Sequence, residues 1–246
     1  MARNRPVPHI SEADRVFVHG LLIHEDNHIL AFNKPSGLPS QVRGNRARNL
    51  DHLLWAFAKS NGKRPRMVHR LDAGTSGVIL AGRTQPAAAA LSEAFAGRAA
   101  QKTYLALVSG EIPEARRGWI NASIARIPDD RGDRLVVNHP DGKPAETDWQ
   151  ILSSSSDAAL IELKPKTGRM HQLRLHMAHA DMPILGDERY GGPPAARLML
   201  HAAEITVPHP SGGGSVTIAA PLPEEMASAA RARGLSVPMA IAGASD

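Results

Sequence analysis

The sequence predicts an α+β fold, on three observations. Strand-patterned runs at 101–108, 147–152 and 158–163 mix with helical patterns at 49–60, 84–98 and 224–233. No βαβ regularity links the two kinds of element, as a parallel sheet would require. The 246 residues suffice for one sizeable core, and no Gly/Ser linker or repeat divides them. The expected organisation is a flexible basic arm over 1–12, a single domain over 13–234 and a loose tail over 235–246.

Each element has its own signal. Arg3, Arg5, Pro6 and Pro8 mark the arm, for which a frayed terminus is the plain reading. Residues 21–33 pattern as two short strands about Asp26-Asn27, and 49–60 as a helix with Leu50, Leu53, Leu54 and Phe57 on one face. Between them, 41–48 is a basic loop carrying Arg43, Arg46 and Arg48 beside Gly44, suited to clamping a phosphate backbone. The Ala-rich stretch 84–98 tolerates Pro86 in its first helical turn. After the strand at 101–108 come strands about Trp119-Ile120 and at 134–138, 147–152 and 158–163, then a helix beginning near Met170. Late strands at 201–207 and 215–219 precede the last helix.

His69-Arg70-Leu71-Asp72, followed by Ala73-Gly74-Thr75-Ser76-Gly77, is the most telling stretch. It sets a carboxylate beside a guanidinium in a Gly-rich turn, just ahead of the apolar strand run Val78-Ile79-Leu80. A rigid element behind a reactive group helps hold its geometry. From these residues alone Asp72 has three candidate jobs: a structural ion pair, a general base, or a covalent nucleophile.

The second stretch, 164–176, packs Lys164, Lys166, Arg169, Arg174, His171 and His176 around a Thr-Gly turn. The amides of a helix starting there, with the basic side chains, would make an anion site suited to a phosphodiester; a solvated basic face is the alternative. Tyr104 lies in the 101–108 strand and is one of only two tyrosines. Core packing is its plain use, and stacking on a nucleobase its functional one.

Together these stretches resemble the RluA-type pseudouridine synthases, which isomerise uridine in ribosomal or transfer RNA. His69-Arg70-Leu71-Asp72 with Thr75-Ser76-Gly77 is similar to the family's catalytic-loop motif, Lys102-Thr-Tyr104-Leu-Ala106 to its tyrosine motif, and Thr167-Gly-Arg-Met-His-Gln-Leu-Arg174 to its third motif. Asn33-Lys-Pro-Ser-Gly-Leu38, Gly142-Lys-Pro-Ala-Glu-Thr147 and Pro183-Ile-Leu-Gly-Asp187 with Tyr190-Gly191 stand in the family's order.

The resemblance implies a mixed, mostly antiparallel central sheet flanked by helices, with an RNA cleft across it. It also implies roles: Asp72 as the catalytic aspartate, Tyr104 stacking on the target base, Arg174 pairing with the aspartate, and Arg70 entering the RNA stack as the uridine leaves it. Lys34, His69, Lys166, Arg169 and His171, with Arg43 and Arg46, are the further candidate RNA contacts. For Lys34 a strand-ending turn is an equal explanation. Asp187 and Tyr190 read as turn and packing elements with RNA contact as an option. Met170 departs from the family, where Thr or Ser is usual, and is expected to affect packing or RNA contacts rather than chemistry. The resemblance is to a short form without an RNA-binding domain of the S4 type, whose targets would be a tRNA anticodon stem-loop, a 23S rRNA hairpin, or both.

Charge agrees with such a partner. Lys and Arg number 29 against 24 Asp and Glu, giving +5 with a pI near 9.9, which favours polyanions and salt-sensitive binding. Cysteine is absent, excluding disulfides and thiolate metal sites. No signal-peptide core or long apolar stretch is present, and a cytoplasmic protein is expected. The isomerisation calls for no cofactor or metal, no protein partner is implied, and a monomer is the expected state. A rival reading takes His171, His176 and His179 as a metal cluster of a hydrolase, but only His176 and His179 share a helical face. A second rival is an RNA-binding module that has kept the fold and lost the chemistry.

Overall fold

The computed structural model describes residues 8–42, 48–130 and 133–238. It bears out the α+β expectation, with mostly antiparallel β-structure accompanied by helices. The chain forms two compact units, residues 1–100 with 206–218, and 101–205 with 219–246.

The first unit opens with α1 (Glu12–Gly20). Ser11 caps it by accepting from the Asp14 amide, and Glu12 and Asp14 place negative charge at the positive end of the helix. Of the residues expected to form a flexible arm, 1–7 lie outside the described residues, whereas Ile10 is buried. The strands β1 (Leu22–Glu25) and β2 (Ile29–Lys34) form a hairpin, as the Asp26-Asn27 turn predicts. Burial opposes ionisation of Asp26, but bonds from His24, the amides of His28 and Ile29, and His209 outweigh it and hold the carboxyl below the usual range.

The helix expected over 49–60 is shorter: α2 (Leu50–Leu53), capped by Asn49, tightens into a 3-10 turn over Leu54–Phe57. Then come β3 (Arg66–Met67), β4 (Ser76–Gly82) and α3 (Gln85–Ala96), the last capped by Thr84 with Pro86 in its first turn. β4 pairs antiparallel with β2 and β3. The runs 29–32 and 78–81 are wholly buried, which explains why they are apolar throughout rather than alternating. Gly82 lets α3 lie against β4, since a β-carbon there would come within 2.4 Å of the Ala88 backbone.

The second unit contains β5 (Gln101–Ser109), β6 (Arg117–Asn121), β7 (Ile124–Ile127), β8 (Arg134–Val137), β9 (Glu146–Ser154), β10 (Ala158–Pro165) and α4 (Gln172–His179). Its sheet runs β5-β10-β9-β6, each pairing antiparallel, while β7 and β8 form a separate hairpin. Leu105, Leu107, Leu160 and Ile161 form its core with Met177, Ile184 and Met226. β11 (Leu200–Pro208) carries the chain into the first unit, β12 (Ser215–Ala219) leads back, and α5 (Glu224–Arg231) packs Met226, Ala227 and Ala230 into the core. Of the expected loose tail, Leu235 is buried, the Ser236 amide donates to Ser153, and 239–246 lie outside the described residues.

One buried group sets a pH dependence of stability. Burial, assisted by the nearby Arg197 charge, lowers the pKa of His201 to about 4, and its Nε2 donates to the Ala220 carbonyl. The unfolded chain takes up this proton near pH 6.5 and the folded one only near 4. Stability from neutral His201 is therefore present above about pH 6.5 and is lost as pH falls to 4. The loss is on the order of 3 kcal/mol. Urea denaturation at pH 7 and pH 4.5 is expected to show a larger drop for the parent than for His201→Gln.

Candidate active site

Asp72 lies in the turn between β3 and β4, four residues ahead of β4. The segment 34–40 grips the backbone on either side of it. Ser40 Oγ donates to the Leu71 carbonyl at 2.7 Å and accepts from its amide at 3.0 Å. The Ala73 carbonyl accepts from Lys34 Nζ at 3.1 Å and from the Gly37 amide at 2.8 Å, and Ser36 Oγ donates to the Gly74 carbonyl at 2.7 Å. The Thr75 amide closes the turn onto the Asp72 carbonyl. The half-buried Asp72 side chain therefore stands on a backbone fixed from Leu71 to Gly74.

Lys34 requires a correction. It is fully buried, and its ammonium donates to the carbonyls of Pro35, Leu38 and Ala73 at 2.8–3.1 Å. It is a brace for the turn rather than a phosphate contact, because it is fully buried and its ammonium serves backbone carbonyls of the turn. His69 stacks on Phe95, ring centroids 4.3 Å apart, and its Nε2 accepts from the Leu80 amide at 2.9 Å. The two-residue β3 ends at Met67, opposite Ala81, and the imidazole takes over at the next free amide of β4. Arg70 is exposed. Arg43 and Arg46 lie outside the described residues, while Arg48 pairs with Asp14 at 2.7 Å and covers Phe17.

In the second unit, Tyr104 sits on β5 opposite Leu163 of β10 and packs partly into the core. Lys102, two residues earlier, projects from the same strand face. Its Nζ approaches the Thr167-Gly168 turn, and burial lowers its pKa. Sequence reasoning gave Lys102 no role, though its two-residue spacing from Tyr104 was the available signal.

The start of α4 is built on a buried polar network. Gln172 Nε2 donates to the Glu146 carbonyl and to Thr147 Oγ1, at 2.9 and 3.0 Å. Gln172 Oε1 accepts from Thr167 Oγ1 and the Arg169 amide, at 2.7 and 3.0 Å. His176 places Nδ1 2.9 Å from Thr147 Oγ1 and Nε2 3.0 Å from the Ala122 carbonyl, and burial lowers its pKa. The motif at 142–147 and the motif at 167–174 thus form one construction. Among the described residues no group of three or more His, Cys, Asp or Glu side chains is placed to hold a metal ion.

Arg174 meets Asp187 side-on, Nε to Oδ2 at 2.7 Å and Nη2 to Oδ1 at 2.6 Å. The Asp187 side chain is fully buried and that of Arg174 is 13% exposed. The Tyr190 ring lies 5.0 Å from Arg174 Cζ, and its hydroxyl is 2.8 Å from His171 Nδ1. His171 caps α4 in the left-handed region, at φ 53. Arg169 Nε donates to the Pro144 carbonyl, Lys166 pairs with Asp148, and Met170 is exposed.

The sequence profile of one family, RNA pseudouridylate synthase, matches residues 28–179. The chain belongs to the RNA pseudouridylate synthase family. It is 37% identical over 206 residues to the dual-specificity RNA pseudouridine synthase RluA of Escherichia coli (strain K12), covering 82% of this chain and 92% of that one. It is 35% identical over 215 residues to the ribosomal large subunit pseudouridine synthase C of Yersinia pestis, covering 83% of this chain and 66% of that one. Among solved structures it resembles human RNA pseudouridylate synthase domain containing 4, with TM-score 0.76, 25% identity, and 92% and 98% of the two chains covered. The chain is thus an RNA pseudouridine synthase, an isomerase acting on RNA. No helix among the described residues is long and apolar enough to cross a membrane.

Proposed function

We propose that this pseudouridine synthase modifies specific uridines in a tRNA anticodon stem-loop, a 23S rRNA hairpin, or both. The names of two relatives, one a dual-specificity RNA enzyme and one a ribosomal large subunit enzyme, support more than one RNA target and an rRNA target respectively, while the tRNA target comes from the motif resemblance. The observation that carries the site assignment is the fixed Asp72 turn, where five hydrogen bonds from 34–40 hold the backbone flanking a single carboxylate. Such rigidity suits a group that must meet one carbon atom.

In this reading residues 13–234 act as one catalytic domain, monomeric and cytoplasmic, with no cofactor or protein partner. The target uridine leaves its stack at a cost of a few kcal/mol, offset by stacking and phosphate contacts. Arg70, exposed beside Asp72, fills the vacated space. Asp72 then promotes cleavage of the N1–C1′ bond by attack at C1′, attack at C6, or removal of the C2′ proton. The freed uracil turns against Tyr104, C5 joins C1′, and the C5 proton is lost while N1 gains one, so the product is an isomer. The family resemblance gives Arg174 the part of aiming the reacting carboxylate through charge-assisted hydrogen bonds. Lys166, Arg169, His171, His69, Arg43 and Arg46 are the proposed RNA contacts.

The test is mass-spectrometric mapping of pseudouridine in tRNA and large-subunit rRNA from cells with and without the protein, with cyanoethylation marking the mass-silent isomer. Loss at one or a few uridines is expected. Retention of every pseudouridine in both RNA classes would refute the proposed targets.

A further inference from the structure

We propose that Asp187 is a positioning residue of the reaction, which fixes the plane of the Arg174 guanidinium and sets how much net charge it presents. The inference rests on the reading that Arg174 serves the reacting carboxylate, and it assigns a part in the reaction to a residue whose sequence context reads as a turn and packing element with RNA contact as an option. A guanidinium has five N–H donors in a rigid fork. The side-on bonds to Asp187 take one from Nε and one from Nη2, so every other acceptor meets the guanidinium in a plane already fixed.

The surrounding loop is built to hold that carboxylate still. The Asp187 amide donates to the Ile184 carbonyl, and its own carbonyl accepts from the amides of Tyr190 and Gly192. Gly186 adopts φ 77, and a β-carbon on it would come within 1.9 Å of the Arg197 carbonyl. Tyr190 lies along the guanidinium and is itself held through His171, so Arg174 is restrained at its edge and along its side. Stability alone is a poor account of this arrangement, because a buried ion pair is often replaced by apolar groups without loss. Orientation explains it better. The buried carboxylate also offsets the charge of Arg174. A second carboxylate would then meet a directional donor pair rather than a net cation, and would be aimed by it.

The experiment compares single-turnover pseudouridine formation by the parent, Asp187→Asn and Asp187→Glu on transcripts of a tRNA anticodon stem-loop and of 23S rRNA hairpins. RNA affinity and thermal melting are measured on the same samples. Asp187→Asn is expected to slow the chemical step about a hundredfold, as a misplacement of about 1 Å does, with RNA affinity within about twofold of the parent. Asp187→Glu is expected to recover part of the rate. A folded Asp187→Asn enzyme within about threefold of the parent rate would overturn the inference, as would a deficit that vanishes at temperatures where the variant is fully folded. The parent supplies a check that needs no folded Asp187 variant. Its Arg174 Nε–H resonance, assigned by its loss in Arg174→Lys, is expected to exchange slowly with solvent, and rapid exchange would overturn the inference. A parent inactive on all transcripts would overturn the functional reading and this inference with it, whereas an active parent matched by Asp187→Asn would overturn the inference alone.

Discussion

Asp72→Asn is expected to abolish pseudouridine formation, a loss of at least about 10⁴-fold, while leaving RNA binding within about threefold. The amide is nearly isosteric with the carboxylate, and the bonds that fix the turn involve the backbone of Leu71, Ala73 and Gly74 rather than the Asp72 side chain. The variant should therefore fold and bind, but an amide is neither a competent base nor a nucleophile. Single-turnover assays with filter-binding controls separate the two quantities. Product at the parent rate from Asp72→Asn would remove Asp72 from the chemistry.

Lys34→Met is expected to have the largest effect on stability, a loss of about 3 kcal/mol or more, because the carbonyls of Pro35, Leu38 and Ala73 would lose a charged donor. For a chain of this size that corresponds to a fall of roughly 10 °C in melting temperature. Methionine keeps the aliphatic length, so the change reports on the ammonium rather than on packing. Activity per folded molecule should also fall, since the Ala73 carbonyl adjoins Asp72 and keeps only the Gly37 amide. Denaturant titration and assays below the new transition measure both. A melting temperature unchanged within a degree or two would show that the brace is dispensable.

Lys34, for which the sequence offers an RNA contact and a strand-ending turn as equal readings, shows what a linear sequence conceals. A lysine beside a proline at a strand end is ordinarily exposed, and nothing local reveals that three carbonyls converge on it. Ser36 and Ser40 carry no local signal for the same reason, since their partners lie 38 and 31 residues away. The Arg174–Asp187 pair, 13 residues apart across a loop, follows no helical or strand spacing. The central strands were legible because 29–32, 78–81 and 105–108 are continuous apolar runs. α1 escaped because it buries only Val18, leaving the apolar stripe too thin to register. Its start at Glu12 also fell where charge and proline suggested a frayed arm. The proposed chemistry was legible as Asp72, Tyr104 and Arg174, whereas the residues that hold the Asp72 turn and Arg174 were not.

The network at the start of α4 has only one possible proton order. The Ala122 carbonyl can only accept, so His176 carries its hydrogen on Nε2 and offers a bare Nδ1. The Thr147 hydroxyl must then point its hydrogen at His176 and receive one from Gln172. Gln172 in turn presents nitrogen to two acceptors and oxygen to two donors. No member can reverse without leaving two like groups face to face in a dry interior. A glutamate at 172 would oppose two oxygens with a third, and a protonated His176 would donate to the Thr147 oxygen and force its hydrogen to turn away from the ring. The motif therefore behaves as a one-way circuit, a constraint on which atom carries which hydrogen that shape alone does not express.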